Sequence, residues 1–300
     1  MITTSTFIAL EGNINDIKDA YYKNNEEYYD KLFNVIRKKQ SQFTDMTLGA
    51  PGRMKKWAGS VTYDDIDKGY EKQYRVTKYE DGIQIDRDIV EYKEYERIKP
   101  IVNNKLFGVV KTMRYESADI FNEAFSTAKY TGPDGASLCS ASHRTIPGAA
   151  LQSNTGTLDL TYDNLETTRR LMRSWKDDRV DKMLVEGKMV IAGDYHEATC
   201  KKMFGSDKEA FTDDNNINIY KNFSYFIHPL IEDKKWFVVD PDMMKGGSGL
   251  NFFIARDPHD LERDGATATG DFNSEKLSWK IIGSWDKGWT NWFFIYGNNP

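Results

Sequence analysis

Two cysteines and two histidines stand at matching intervals, Cys139 with His143 and His196 with Cys200, each pair four residues apart. Thiolate and imidazole in a two-plus-two set are the donors of a tetrahedral zinc site. Against that chemistry, His196 and Cys200 fall on a helical pattern whose apolar side also needs Ala198 or Met203, and a half-buried cysteine behaves as a small hydrophobe. Two carboxylate groups invite a second reading. Asp177, Asp178 and Asp181 flank Arg179, and Asp240-Pro241-Asp242 precedes the run Gly246-Gly247-Ser248-Gly249. Neither follows the twelve-position calcium loop, and the glycine run lacks the spacing and the lysine of a phosphate cradle, so both read as solvated turns. No Gly-x-Ser-x-Gly elbow occurs, and His228 and His259 both lie beside prolines, which leaves no nucleophile with its base. No catalytic, cofactor-binding or metal-binding residue is therefore assigned, and a metal-dependent enzyme built on the Cys/His set is the weakest of three functional readings.

The elements around these residues explain more than the residues do. Residues 95–130 read as one long helix, with Ile98, Val102, Leu106, Val109, Met113, Ile120 and Ala124 in a stripe at steps of three and four, widened by Ile101, Val110, Phe121 and Phe125. At about 1.5 Å per residue such a helix would run to roughly 50 Å, the length of a strut. Upstream, residues 1–45 read as an amphipathic arm whose helix covers 21–39. Tyr21, Tyr28, Leu32, Val35 and Ile36 form one face and lysines and glutamates the other. Residues 46–80 are rich in Gly, Asp, Lys and Tyr with few large aliphatics, and predict a two-stranded excursion that cannot stand alone in water. Asp81-Gly82 predicts a tight turn, followed by a strand over 83–86.

Residues 131–160, with Gly132-Pro133-Asp134-Gly135 and Pro147-Gly148, predict a long irregular connection. A compact α/β texture follows: a helix over 162–175 capped by Thr161 or Asp163, a buried strand over 188–192, and a helix over 195–204 capped by Asp194. Strands are expected at 217–220, 225–228, 236–239 and 252–255. The tail 266–300 alternates through Leu277, Trp279, Ile281 and Trp285 and ends on an aromatic run.

Composition bounds the function. The 300 residues carry a net charge of −5, 39% hydrophobic and 29% charged residues, which is ordinary for a globular chain and argues against a protein held on nucleic acid by counterion release. Aromatic residues at 13% suit extensive subunit contacts. Two cysteines make no disulfide framework, no basic segment followed by an apolar run opens the chain, and no apolar stretch approaches the roughly twenty residues of a membrane span, so a reducing cytoplasm and no membrane are expected.

The order arm, hairpin, long helix, α/β region and returning strands resembles the major capsid proteins of tailed bacteriophages, the Hong Kong 97-type fold, and in particular the Mu-type major head subunit group. The resemblance rests on Val76-Thr77-Lys78-Tyr79 with Gly82-Ile83-Gln84-Ile85-Asp86-Arg87-Asp88, on Ile101-Val102-Asn103-Asn104-Lys105-Leu106, and on Leu138-Cys139-Ser140-Ala141-Ser142-His143. It also rests on the helix over 165–175, the strand over 189–192 and Trp236-Phe237-Val238-Val239-Asp240. Where that group often places Val-Pro or Pro-Pro, this chain has Ala192-Gly193-Asp194. His143 is carried over as a loop residue only.

The resemblance implies an α+β fold with a division into an N-terminal arm (1–45), an extended hairpin loop (46–80), a peripheral domain with the spine helix (81–160), an axial domain (161–255) and a return to the peripheral domain (256–300). It implies a non-enzymatic shell protein, assembled in the bacterial host cytoplasm and resident in the virion. Copies would gather as pentamers and hexamers into an icosahedral container for double-stranded DNA, touching that DNA weakly and meeting portal, scaffold and decoration proteins. An encapsulin-type nanocompartment shell of the same fold is the alternative.

Overall fold

The computed structural model describes residues 4–57, 59–61, 63, 65–207, 217–263 and 275–300. Its centre is helix α4 (Ile98–Asn122), entered through a 3-10 turn at Tyr95–Arg97. Pro100 sits in the first turn, where the missing N–H has no intrahelical partner to lose. The stripe read from the sequence is the buried face: Val102, Leu106, Val110, Met113, Ile120 and Phe121 are all shut off from solvent. The helix is shorter than expected, 25 residues and so about 37 Å. At its end the Asn122 side chain donates to Leu230 O (2.9 Å) and accepts from Glu232 N (2.9 Å), which ties the helix terminus to residues 230–232. Beyond it, side-chain bonds such as Ala128 N to Ser126 Oγ (3.1 Å) replace the helical ladder.

Two sheets flank this helix. In the first, β11 (Lys276–Trp289) is central. β4 (Thr77–Asp86) runs antiparallel along one edge, and β10 (Leu261–Arg263) and β9 (Leu250–Arg256) share the other. β1 (Asn34–Arg37) closes the sheet as a parallel partner of β9. In the second sheet the order is β5 (Thr155–Gly156), β12 (Ile295–Asn298), β8 (Trp236–Val239), β6 (Met189–Ala192) and β7 (Ser224–Ile227). Its strands alternate between two cores. Ile191, Phe237, Val239 and Ile295 join the core under α4, while Val190, Trp236, Val238 and Tyr296 join a second core beneath α5 (Tyr162–Ser174) and α6 (Glu197–Gly205). With both faces covered, these strands read as nearly unbroken hydrophobic runs.

Several expectations are corrected. The arm's helix is α1 (Thr4–Asn24), not 21–39. Asn24 and Asn25 turn their amides back onto Ala20 O and Tyr21 O (both 2.9 Å), which ends the helix. Tyr28 then takes a left-handed φ of 72°, a short α2 (Tyr29–Leu32) follows, and the β-branched pair Val35-Ile36 enters β1 opposite Phe252 and Phe253. The arm thus docks on its own chain, burying Ile14, Leu32 and Phe33. Asp81-Gly82 makes no turn. β4 passes straight through it, with Asp81 opposite Ile281 and Gly82 opposite Lys280, because burying Ile83 and Ile85 against β11 demands an unbroken register.

Residues 217–220 form a turn after a single bridge residue instead of a strand. There the buried Asn218 amide donates to Met203 O and Ser206 O while its oxygen accepts from Tyr220 N. Asp194 belongs to a 3-10 turn and makes no side-chain cap; Thr161 does cap α5, accepting from Asn164 N. The expected unit 161–255 loses β9 to the first sheet, where it pairs with β11 and β1, and the tail divides between β11 in the first sheet and β12 in the second. Residues 266–274 of the tail lie outside the described residues.

Candidate assembly surface

The pairs that suggested zinc are not brought together. Cys139 lies in the core under α4 and Cys200 in the second core. Burial pushes both thiols up, Cys200 to about 12, which keeps them protonated and poor as metal ligands. His143 is wholly buried, its Nδ1 2.5 Å from Asp134 Oδ2 and its Nε2 3.3 Å from Leu138 O, with its ring stacked on Trp292. His196 Nε2 donates to Lys234 O (2.8 Å). No group of three or more metal-capable side chains occurs among the described residues. Asp240 caps the short helix α7 (Pro241–Met244), accepting from Asp242 N and Met243 N, and also accepts from Glu186 N. Ser117 Oγ does come within 2.8 Å of His228 Nε2, a contact the sequence did not suggest, but both are completely buried and burial pulls the imidazole down to about 4. No substrate reaches that pair.

The Asp177–Asp181 turn is more than a solvated loop. Strands β2 (Gln42–Leu48) and β3 (Lys68–Arg75) form a two-stranded ladder of their own, with Phe43 opposite Tyr74 and Asp45 opposite Lys72. The root of this hairpin is part of the core: Tyr74 is fully buried, its hydroxyl 3.0 Å from Thr290 Oγ1, and Phe43 stacks on Phe253. The tip, 49–67, is held by the turn. Ala50 N donates to Asp178 Oδ1 (2.8 Å), Arg179 donates to both Ala50 O (2.9 Å) and Asp65 O (2.8 Å), and Arg53 forks onto the Asp181 carboxylate. Asp177 Oδ1 organises the turn by accepting from Arg179 N and Asp181 N. Val180, β-branched yet at φ 67°, marks the tightness of the bend.

The tether is polar and its burden apolar. Met54 is fully exposed, Tyr63 90%, Trp57 69% and Ile66 53% exposed, with Met46 and Leu48 also open on β2. Single exposed hydrophobes are unremarkable, whereas several in one stretch of chain between and along two strands make a candidate contact surface.

Three charge centres, one buried and two half-buried, lie in the body that carries this hairpin, and none was legible as a site. Lys287, on β11, lies 2.9 Å from Glu116 Oε2 and 3.3 Å from Asp119 Oδ2 with almost no solvent access. Burial pulls Lys72 down to about 8 against the attraction of Asp286 and Asp134; its ammonium sits over Tyr74 and Trp289 and donates to Thr131 O. His259 bridges the two carboxylates of Asp257 and Glu27, the latter on the arm. Burial pulls this imidazole down, but the hydrogen bonds and negative charge of Asp257 and Glu27 outweigh it and hold it up at about 9. The signal available in sequence was Glu116 and Asp119 three apart on a helix otherwise apolar on its inner side.

No protein-family model matches the chain, and no curated protein matches it in sequence. Solved structures do match. The procapsid protein of bacteriophage JBD30 superposes with a TM-score of 0.58 at 11% identity, over 100% of this chain and 76% of that one. The virus-like particle from Pyrococcus furiosus gives 0.56 at 8%, over 95% and 98%. The capsid of the empty GTA particle gives 0.54 at 10%, over 91% and 90%. The fold is therefore the Hong Kong 97-type fold of tailed-phage major capsid proteins.

Proposed function

We propose that this chain is the major capsid protein of a tailed bacteriophage or prophage, a structural protein that assembles as pentamers and hexamers into an icosahedral shell around double-stranded DNA. The observation that carries the reading is the hairpin tip, whose Met54, Trp57, Tyr63 and Ile66 are largely open to solvent among the described residues, beside a body that packs two hydrophobic cores. A neighbour supplies their cover. Shell interfaces of on the order of 1,600 Å² need such apolar anchors within a polar rim. The spine helix and first sheet then act as the peripheral domain and the second sheet with α5 and α6 as the axial domain. Portal, scaffold and decoration proteins are the expected partners, and the mildly acidic surface leaves packaged DNA free to slide. Among the described residues no helix is long and apolar enough to cross a membrane, in keeping with a virion particle built in the host cytoplasm.

The test is to express the full chain and a variant lacking residues 52–68 and to image both by electron microscopy. Closed shells are expected from the first and a folded, unassembled subunit from the second; wild-type-like particles from the deletion would overturn the role of the hairpin tip, and a full chain that builds no shell would overturn the reading. The likeness to a virus-like particle, spanning 98% of that chain, favours the encapsulin-type nanocompartment as second reading. Nucleic acid content separates them: native heads filled with double-stranded DNA support the phage shell, and protein-filled particles the nanocompartment.

A further inference from the structure

Among the described residues six buried side-chain polar atoms have no hydrogen-bond partner, and three of them, Thr145 Oγ1, Trp289 Nε1 and Asn291 Oδ1, belong to residues that line one cleft. Their neighbours are provided for. Thr290 Oγ1 meets the Tyr74 hydroxyl at 3.0 Å, and Trp292 Nε1 donates to Arg144 O at 3.0 Å. Native folds leave few buried donors or acceptors bare, because each has given up water with nothing in return. The cleft lies where the root of the hairpin, at Thr47 and Tyr70, meets the irregular connection, at Asp134 and Thr145, and the chain leaving β11. It offers about 10 Å³ to the centre of a water molecule, enough for one. Gly132 keeps the approach to the indole open, since a Cβ there would come within 2.9 Å of Trp289 Nε1 and 2.6 Å of Asp134 Oδ1.

We propose that this cleft is a binding site for one ordered water molecule, held by Trp289 Nε1, Asn291 Oδ1 and Thr145 Oγ1. The chemistry of the three atoms selects the occupant. The indole nitrogen only donates and the amide oxygen only accepts, so the ligand must accept and donate at once. A cation would face the indole N–H, with Arg144 in the lining and the Lys72 ammonium 4.8 Å from the centre of the Trp289 ring. An anion would face the Asn291 carbonyl, with the Asp134 carboxylate in the same lining. Water accepts from Trp289 and donates to Asn291 and Thr145, about three bonds, the usual number for a buried molecule. Beside the Trp292–Arg144 bond, the bound water is a second tie between the irregular connection and the chain at the end of β11, and it sits next to the hairpin root. The site does not depend on the shell reading.

The test is a density map of the full chain, from crystals or assembled particles, fine enough to show ordered water elsewhere in its interior. One peak is expected about 2.7–3.2 Å from Trp289 Nε1 and from at least one of Asn291 Oδ1 and Thr145 Oγ1. Asn291→Leu removes an acceptor and fills the space, and the peak is expected to vanish. Thr145→Val keeps the shape of its side chain and is expected to cut the occupancy of the peak at least twofold, which decides the matter should the leucine variant not fold. A cleft without a peak in the wild-type map overturns the site, and so does a peak of full occupancy in both variants. A peak with oxygen contacts of about 2.0–2.6 Å is a metal ion and overturns the assignment to water.

Discussion

Helix α4 shuts Val102, Leu106, Val110 and Met113 away from water against a sheet of its own chain, whereas the hairpin 49–67 turns Met54, Trp57 and Tyr63 outward and relies on a handful of hydrogen bonds and one arginine–carboxylate fork to hold its position. The first arrangement gains burial on folding; the second defers it. Apolar area removed from water contributes about 25 cal/mol per Å², while exposed ion pairs contribute about 0–1 kcal/mol each. The body is therefore stable by itself, and the tip is positioned without being stabilised. A subunit divided in this way folds its body and leaves the apolar side chains of the tip in solvent. The root of the hairpin belongs to the body, however, because Tyr74 and Phe43 pack into it.

The contrast can be broken most severely from the α4 side. Met113→Asp places a carboxylate at a fully buried position with no partner, and a loss of at least about 4 kcal/mol is expected, read as insoluble chain or a collapsed melting transition. An unchanged melting temperature would mean that the stripe is not the core. Lys287→Met comes next. It leaves Glu116 and Asp119 facing each other beside a methionine, at a cost of about 3 kcal/mol. Adding Glu116→Gln and Asp119→Asn should restore most of that loss, and failure of the triple variant to recover would show that the lysine stem's packing matters more than its charge.

The arm gives a pH test. The folded pKa of His259, about 9, lies above its ordinary 6.5, so its contribution is complete below pH 6.5 and is lost as pH rises through 9. Asp257 works in the opposite direction. Burial raises it, but the hydrogen bonds and charge of His259, with Arg37, bring it to about 2 from 3.8, so its contribution is complete above pH 3.8 and fades as pH falls through 2. At about 1.4 kcal/mol per pKa unit this corresponds to about 3.5 kcal/mol, and solvent screening of a ring that is 23% exposed reduces what rides on His259 to roughly 2–3 kcal/mol. Melting curves between pH 7 and 10 should show a decline that His259→Gln flattens; a decline that persists in the variant would place the titration elsewhere. The smallest effect is at the tether. Arg179→Ala should lower global stability by only about 1 kcal/mol yet speed proteolysis within 49–67 several-fold. Equal cleavage rates would show that the hairpin holds itself.

Much of this organisation was legible in order along the chain. The three- and four-residue spacing of α4 and the unbroken apolar runs of β6 and β8 announced buried elements, and the low aliphatic content of 46–80 announced a ladder without a core of its own. Local rules failed where a long-range partner outweighed them. Asp81-Gly82 is ordinary turn chemistry, but β11 presents Leu277, Trp279 and Ile281 as a continuous register, and strand β4 follows it. Val35-Ile36 continued a helical face on paper, yet β9 offered an open edge.

What the sequence settled by itself is the apolar patterning, the Thr161 cap and the order of parts, because these depend on neighbours a few residues away and on periods of 2 and 3.6. Tertiary structure alone decided that Asp177–Asp181 grips a hairpin more than a hundred residues upstream and that Lys287 pairs with two carboxylates on α4. Each depends on which distant surfaces meet. Electrostatic partners and cavities are properties of that meeting and leave no periodic trace in the chain.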